Sequence, residues 1–563
     1  MKYSEVAEVC EKLEGTTKGL EKTAILSEFL GRVKEEGKVI YLLQGRVFAD
    51  YDKRELGMSQ QLVIKAVSKA SGVGSDEIVK KFKKFGDLGK VAEDVMGRKK
   101  QTSLFSKKLS AEKVLGNLRK LPELEGKGTV EKKIGLVVEL LHSASGKEAK
   151  YIVRTVMGDL KIGVGSGIIR DAIVDVCFKP KDISEKKEKI GIVQDAYDKA
   201  TDFAEVFEKA CSKKLQTIFL SPGKPVKVML FPKAKDMEDA FRIVGKPAAF
   251  EYKYDGFRMM INKDEKGKIK IFTRRLEDVS NQFPDVVKYI KEHVKGKSFI
   301  LDSEAVGFDP KTKIYKPFQA ISQRIKRKYH IEKLVKELPV EINVFDIIYY
   351  NGKSLISSPF KKRRKLIKKI IRPTKYKIVL AKQIVTDDRK KAENFLKEAL
   401  DNGQEGLMAK NLEAVYKPGA RVGYAVKLKP EDKDFDLVIT GAEWGTGKRA
   451  GWLTSFDVSC RDKGKLLEVG KVSTGLKEKK EEGLSFMELT DKLTKLILEE
   501  KGKHVSVKPK IVVTVQYQNI QKSPTYTSGY ALRFPRVKML RPDRDVHDIA
   551  TLSEVRAEAG KEK

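Results

Sequence analysis

The spacing of apolar residues changes character twice along the 563-residue chain, and those two changes bound what it can fold into. From the start to about residue 220, apolar positions recur every three to four residues, as over 23–33, 60–70 and 130–142, with short Gly- and Lys-rich connections between. No alternating stretch in this part is long enough to build a sheet. At Ser221-Pro222-Gly223-Lys224-Pro225 the texture turns to strand-like segments, over 249–254, 268–272, 299–301 and 342–349, interleaved with helices. After Lys429-Pro430-Glu431-Asp432 short strands dominate, over 437–440, 455–459, 467–469 and 511–517, with one helix expected over 486–499. Short strands around a single helix predict a small β-barrel. A chain of this length exceeds one core. The reading is three domains: all-α over 1–221, α+β over 222–428 and a β-barrel over 429–563.

No apolar run approaches the roughly 18 residues of a membrane span, so no membrane association is expected. The opening MKYSEVAEVCEKLEG reads as an amphipathic helix with Val6, Val9, Cys10 and Leu13 on one face, without a signal-peptide pattern. The four cysteines, Cys10, Cys177, Cys211 and Cys460, form no CxxC pair. They read as four buried thiols in a reducing, cytoplasmic setting rather than a zinc site or disulfide framework. Charge says more. Lys and Arg total 115 against 79 Asp and Glu, a net +36. A thermophile's charge-rich surface explains many charges of both signs, but not a one-sided excess. The excess points to a polyanion, nucleic acid before others.

Chemistry concentrates in Glu251-Tyr252-Lys253-Tyr254-Asp255-Gly256-Phe257-Arg258. A lysine at a strand end before a Gly turn can attack phosphorus if it is unprotonated, which needs desolvation or neighbouring cations. Arg258, Lys427 and Lys429 are candidates for those cations. An exposed lysine in a hairpin turn is the plain alternative.

Further segments follow in order: Phe272-Thr273-Arg274-Arg275-Leu276-Glu277, Ile300-Leu301-Asp302-Ser303-Glu304-Ala305-Val306, Val344-Phe345-Asp346-Ile347-Ile348-Tyr349, Glu405-Gly406-Leu407-Met408-Ala409-Lys410, Val426-Lys427-Leu428-Lys429 and Ala531-Leu532-Arg533-Phe534-Pro535-Arg536. This series resembles the covalent nucleotidyltransferases, and most closely the ATP-dependent DNA ligases of the archaeal and eukaryotic replicative type. The resemblance implies an all-α DNA-binding domain, an α+β nucleotidyltransferase (adenylation) domain and an OB-fold β-barrel. It implies nick sealing in replication, repair and recombination, by a monomer that takes its adenylyl group from ATP with Mg2+ (or Mn2+) and acts on nicked duplex DNA. Lys253 would carry AMP. Glu251 would accept from the adenine amine, Phe345 would stack on the base, and Arg258 and Arg274 would bind ribose or phosphate. Glu304 would hold the ribose and help place the metal, with Glu405 as the main metal ligand. Arg421, Lys427 and Lys429 would bind phosphate, and Arg533 and Arg536 would approach the triphosphate. Asp302 reads as a strand-end cap. One departure stands out: Ala425-Val426 replaces the family's tryptophan-leucine pair.

In the helical third, Tyr151-Ile152-Val153-Arg154-Thr155 and Gly158-Asp159-Leu160-Lys161-Ile162-Gly163-Val164-Gly165 resemble the family's DNA-binding domain. Arg154, Thr155, Lys161, Gly163 and Gly165 are the expected contacts, with backbone amides meeting a phosphate at a helix N-terminus. Phe85-Gly86-Asp87-Leu88-Gly89 is a second such loop or a plain helix–helix turn. The basic run Lys361-Lys362-Arg363-Arg364-Lys365 opens a helix and reads as a solvated face. Gln101-Thr102-Ser103-Leu104-Phe105 resembles a shortened sliding-clamp peptide, carried by Gln101, Leu104 and Phe105. Two rival functions remain open. An RNA-capping guanylyltransferase or RNA ligase would share the lysine motif, and an inactive DNA-binding protein would share the fold. The long helical domain and the intact Lys253, Glu405 and Lys427 weigh against them. The lack of a four-cysteine module disfavours an NAD-dependent ligase.

Overall fold

The computed structural model describes residues 1–52, 54–98, 109–126, 128–316, 318–327, 329–429, 433–445, 449, 451–478 and 484–560. Its first part is helical from Tyr3–Glu14 to Phe203–Cys211, around one continuous core that runs from Tyr3 to Ile218. The periodic segments fold as helices Gly19–Arg32, Gln60–Ser71 and Thr129–Ser143. Side chains of Ser59, Asp87, Ser110, Ser145, Asp182 and Asp202 accept from backbone N–H groups at helix starts. Each such cap stabilises its helix by about 1 kcal/mol.

The cysteine reading needs correction. Cys177 and Cys211 are joined in a disulfide between the C-terminal ends of helices Ser166–Cys177 and Phe203–Cys211. A separation of 34 residues gives no local signal for the bond, because only helix packing brings the two ends together. Cys10 and Cys460 are buried free thiols. Burial pushes the first up to about 12 and the second up to about 11, which leaves little reactive thiolate.

The central part holds two sheets. The smaller is antiparallel, in the order Ala425–Leu428, Gly406–Asn411, Ala248–Lys253, Gln383–Thr386. The larger runs Ile269–Thr273, Phe257–Lys263, Phe299–Phe308, Val340–Tyr350, Lys353–Ser354, with Tyr315–Lys316 and Ile378–Leu380 alongside. The chain passes from one sheet to the other through the turn after Lys253. An apolar cluster joins the sheets: Met260, Phe272, Ile300 and Ile348 of the larger pack with Met408 and Ala425 of the smaller. Ala425 and Val426 are fully enclosed, so small side chains complete the packing where the family has larger ones. Sequence pattern located the strand at 299–301 only, because Asp302, Ser303 and Glu304 interrupt the apolar run. Those polar residues find partners within the fold, and the strand continues to Phe308.

The C-terminal part is β-rich, with a seven-stranded sheet wound about the long strand Lys433–Trp444. That strand pairs with Leu453–Asp462 on one side and, in succession, with Val512–Tyr517 and His504–Val507 on the other. The expected helix over 486–499 stops at Thr494, and Ile497–Lys501 forms a hairpin with His504–Val507 through Gly502 (φ +67°). Leu496 and Ile497 extend the helical spacing by coincidence and pack as the start of that hairpin. By compactness the chain divides into two units, 1–399 with 406–428, and 400–405 with 429–563.

Candidate active site

Strand pairing sets the site. Glu251 and Lys253 lie on one face of Ala248–Lys253, because alternate residues of a strand share a face. Glu251 is opposite Gln383 on one side and Met408 on the other, and Met408 is opposite Lys427. The row Gln383, Glu251, Met408 and Lys427, polar but for Met408, therefore crosses the smaller sheet next to Lys253, whose own cross-strand partner is Gly406. On the larger sheet Arg258, Glu304 and Asn343 form a second row.

Gly256 fixes the distance between the two. A Cβ there would stand 2.3 Å from the Ala305 carbonyl oxygen and 3.1 Å from Glu304 Cγ. Only glycine lets the turn after Lys253 rest directly on the Glu304 strand.

Glu251 is 1% exposed. Its Oε1 accepts from Gln383 Nε2 at 2.9 Å and lies 3.4 Å from Arg364 Nη1, while Oε2 accepts from Lys410 Nζ at 2.6 Å. Phe345 is half-buried amid fully buried strand neighbours, and its ring is flanked by Lys410 Nζ at 4.7 Å and Arg258 Cζ at 5.4 Å.

Arg258 is held from within. Its Nε and Nη2 donate to Asp302, and Nη1 donates to the Met229 carbonyl at 2.9 Å. Tyr416 donates to the same carboxylate at 2.8 Å. Asp302, expected as a strand-end cap, is instead fully buried as the anchor of that guanidinium. Burial opposes the charge on Arg258, but Asp302 outweighs it and raises the guanidinium's pKa further. Burial, then the charge of Asp302, raises the Tyr416 phenol well above its ordinary value.

The other expected residues are more open. Arg274 and Arg421 are exposed, and Glu304, Lys427, Lys429 and Glu405 are half-buried. The backbone of Lys427 is clamped by Pro232 and Ala234, whose carbonyl and amide bond it. Glu405 and Lys429 form an ion pair with each other. Arg533 and Arg536 flank the exposed Phe534 (φ +52°), where one strand ends and the next begins.

Two readings of basic segments change. Arg154 and Thr155, expected to touch DNA, are each 2% exposed. Arg154 bonds Glu14, Asp87 and the Leu160 carbonyl, and Thr155 donates to the Tyr151 carbonyl. Arg154 thereby braces the loop 158–165 from inside. Asp87 caps the helix Leu88–Gly97, so its segment is a helix–helix turn. Lys161, Gly163 and Gly165 are exposed just before the helix Ser166–Cys177, with Lys161 Nζ 3.4 Å from Asp87. The second change is in Phe360–Ile370. Arg363 and Arg364 are buried, and only Lys361, Lys362 and Lys365 of that run face solvent. Arg363 bonds Asp346 with two nitrogens and also the Ser358 and Ala414 carbonyls. Sequence reasoning missed this support because basic runs normally mark solvated faces. Gln101, Leu104 and Phe105 lie outside the described residues. Among the described residues no cluster of three or more metal-type side chains occurs, and no helix is long and apolar enough to cross a membrane.

Three family models match the chain: DNA ligase N terminus over residues 2–174, ATP dependent DNA ligase domain over 228–429, and ATP dependent DNA ligase C terminal region over 449–544. It is 46% identical over 565 aligned residues to a DNA ligase of Nanoarchaeum equitans, spanning 99% of this chain and 98% of that protein. Identity to a DNA ligase of Thermococcus fumicolans is 40%, with the same coverage. A solved structure described as Pmar-Lig_PreS3 superposes with a TM-score of 0.55 at 17% identity, over 95% of this chain and 99% of that one, a likeness of fold.

Proposed function

The chain belongs to the ATP-dependent DNA ligase family, whose members seal nicked DNA through an adenylate with ATP as donor, and from that premise we propose how its residues divide the reaction. Lys253 attacks the α-phosphate of ATP, forming the N–P bond as pyrophosphate leaves. The AMP passes to the 5′-phosphate at the nick, and the 3′-hydroxyl then displaces it. Each step is a displacement at phosphorus, in which positioning and charge neutralisation do most of the catalysis.

The observation that carries this reading is the lysine turn. Gly256 seats the turn that follows Lys253 directly against Ala305 and Glu304, so the lysine strand ends where the two sheets meet. In this assignment Glu251 accepts from the adenine amine and Phe345 stacks on the base. Glu304 and the rigidly held Arg258 address the ribose. Arg274, Arg421, Lys427 and Lys429 take phosphate oxygens, and Arg533 and Arg536 approach the triphosphate during self-adenylation.

Glu304 and Glu405 suit Mg2+ or Mn2+, which bind proteins through one or two carboxylates and complete their shell with phosphate oxygens and water. A cluster of three acids is not needed. Such an ion supplies charge neutralisation at the transferring phosphate. At Glu405 it would replace an ammonium, Lys429, that already balances the carboxylate.

DNA is met, in this reading, by the loop around Lys161, Gly163 and Gly165 through its backbone, without base readout. The domains run 1–221 for DNA binding, 222–428 for adenylation and 429–563 for the barrel, which reorients between adenylation and sealing. The enzyme works as a monomer, inside the cell, where its substrate is. Gln101, Leu104 and Phe105 offer a sliding clamp a docking peptide, and a clamp pull-down that survives Leu104→Ala with Phe105→Ala removes that assignment.

The central test is labelling with α-32P-ATP beside α-32P-GTP, chased with nicked duplex. Label from ATP that the nick discharges, absent in Lys253→Ala, is expected. Labelling by GTP alone would mean a capping-type enzyme. Lys253→Ala should still seal a nick that is already adenylated.

A further inference from the structure

Glu251 is surrounded by donors that no step of the reaction explains. Lys410 reaches one carboxylate oxygen, and Gln383 and Arg364 converge on the other. The three come from different elements. Lys410 is on the neighbouring strand and Gln383 on the strand at the far side. Arg364 reaches in from the helix Phe360–Ile370, where it also donates to the Val344 and Ala381 carbonyls. That bonding ties the strand of Phe345 to the segment leading to Gln383. Lys410 Nζ is enclosed further, 4.7 Å from the ring centres of both Phe345 and Phe360.

We propose that Lys410, Arg364 and Gln383 form a donor cage that fixes Glu251 as a one-way acceptor and Phe345 as a fixed platform, and so set the enzyme's preference for a purine with an amine at C6. The inference rests on Glu251 reading the base. A carboxylate already taking hydrogen bonds on both oxygens has only lone pairs left to offer. An adenine amine matches them, whereas the C6 carbonyl of hypoxanthine or guanine sets lone pairs against lone pairs. The cage matters because the contrast depends on the carboxylate staying put. Without Lys410 the carboxyl can turn, and the Phe345 ring loses the cation that lies over it. These three are positioning residues, since they act through Glu251 and Phe345. A buried group that finds its partner missing discriminates far more than a hydrophobic wall does.

The experiment measures self-adenylation of the full chain with ATP and with ITP, which differs at C6, and takes the ratio of the two rates at subsaturating nucleotide. Lys410→Met should lower the ATP preference about tenfold or more, the worth of one hydrogen bond to a charged group. The loss should appear mainly in KM for ATP. Lys410→Arg, which returns a cation, should recover part of the ratio. Gln383→Leu, at a half-buried position, should lower it less, and it decides the matter if Lys410→Met does not fold by urea titration. Slower adenylation with an unchanged ATP-to-ITP ratio in both Lys410→Met and Gln383→Leu would overturn the cage. Glu251→Gln separates the two layers. If that variant leaves the ratio unchanged, the assignment of Glu251 to the base fails. If it shifts the ratio and the cage variants do not, only the cage fails.

Discussion

At the scale of single residues, the site is held by contacts that leave no room for substitution. A methyl group at position 256 would press on the Ala305 carbonyl, which is backbone and cannot swing aside. Gly256→Ala should therefore keep the fold but displace Lys253 by a fraction of an ångström to an ångström. Self-adenylation should slow by about a hundredfold, the usual result of misplacing a reacting group by that much; stopped-time labelling with α-32P-ATP measures it. Arg258 makes the opposite prediction. Its partner Asp302 is fully buried, so Arg258→Met strands a carboxylate in the interior. Breaking a buried pair from one side costs about 3–5 kcal/mol, readable as a lower urea midpoint before any effect on catalysis is considered.

At the scale of elements, the helices of the first part are joined by ionic and covalent ties. Glu14 on the first helix receives Arg154, Lys150 and Tyr151. Burial alone would raise its pKa, but the hydrogen bonds from those residues outweigh burial and hold it at about 2, against an ordinary 4.5. A depressed carboxylate contributes stability above its unfolded value and loses it as pH falls through the folded one. The melting-temperature gap between the native chain and Glu14→Gln should be full above pH about 4.5 and close towards pH about 2. A gap constant across that window would remove Glu14 from the acid response. The disulfide closes a loop of 34 residues. On a chain-entropy reckoning, reduction should cost about 3–4 kcal/mol in that region, and melting with and without a thiol reductant tests it.

These elements also show what the sequence could reveal. Periodicity located helices such as Gln60–Ser71 because one face is apolar and the other wet. It located the lysine strand because Gly256 ends it. It failed where a charged side chain turns inward, at Arg154, Arg363, Arg364 and Asp302. No local pattern distinguishes an ion paired across the fold from one facing water. The cysteine bond was hidden for the same reason.

At the scale of the whole molecule, the charge excess governs the encounter with DNA. If six to ten phosphates are neutralised, affinity for a nicked duplex should fall by roughly 10^3–10^5 between 50 and 200 mM salt. A titration by fluorescence anisotropy gives the slope, and Lys161→Ala should make it shallower. The C-terminal part has its own signature. Arg536→Ala should slow self-adenylation while leaving the sealing of a pre-adenylated nick near normal, because that assignment confines the residue to the first step; equal loss in both would give it a DNA-binding role instead.

The buried cations carry one more consequence. Arg154, Arg258, Arg324 and Arg363 each sit against an interior carboxylate: Asp87, Asp302, Asp285 and Asp346. Such pairs withdraw equal numbers of positive and negative charges from the surface, so the excess of +36 stays on the outside, spread over fewer groups. Before DNA arrives, that surface gathers an atmosphere of small anions, and DNA must displace it. A sulfate or phosphate buffer is then a competitor for the binding face, and two solutions of equal ionic strength should give different affinities when one holds chloride and the other sulfate.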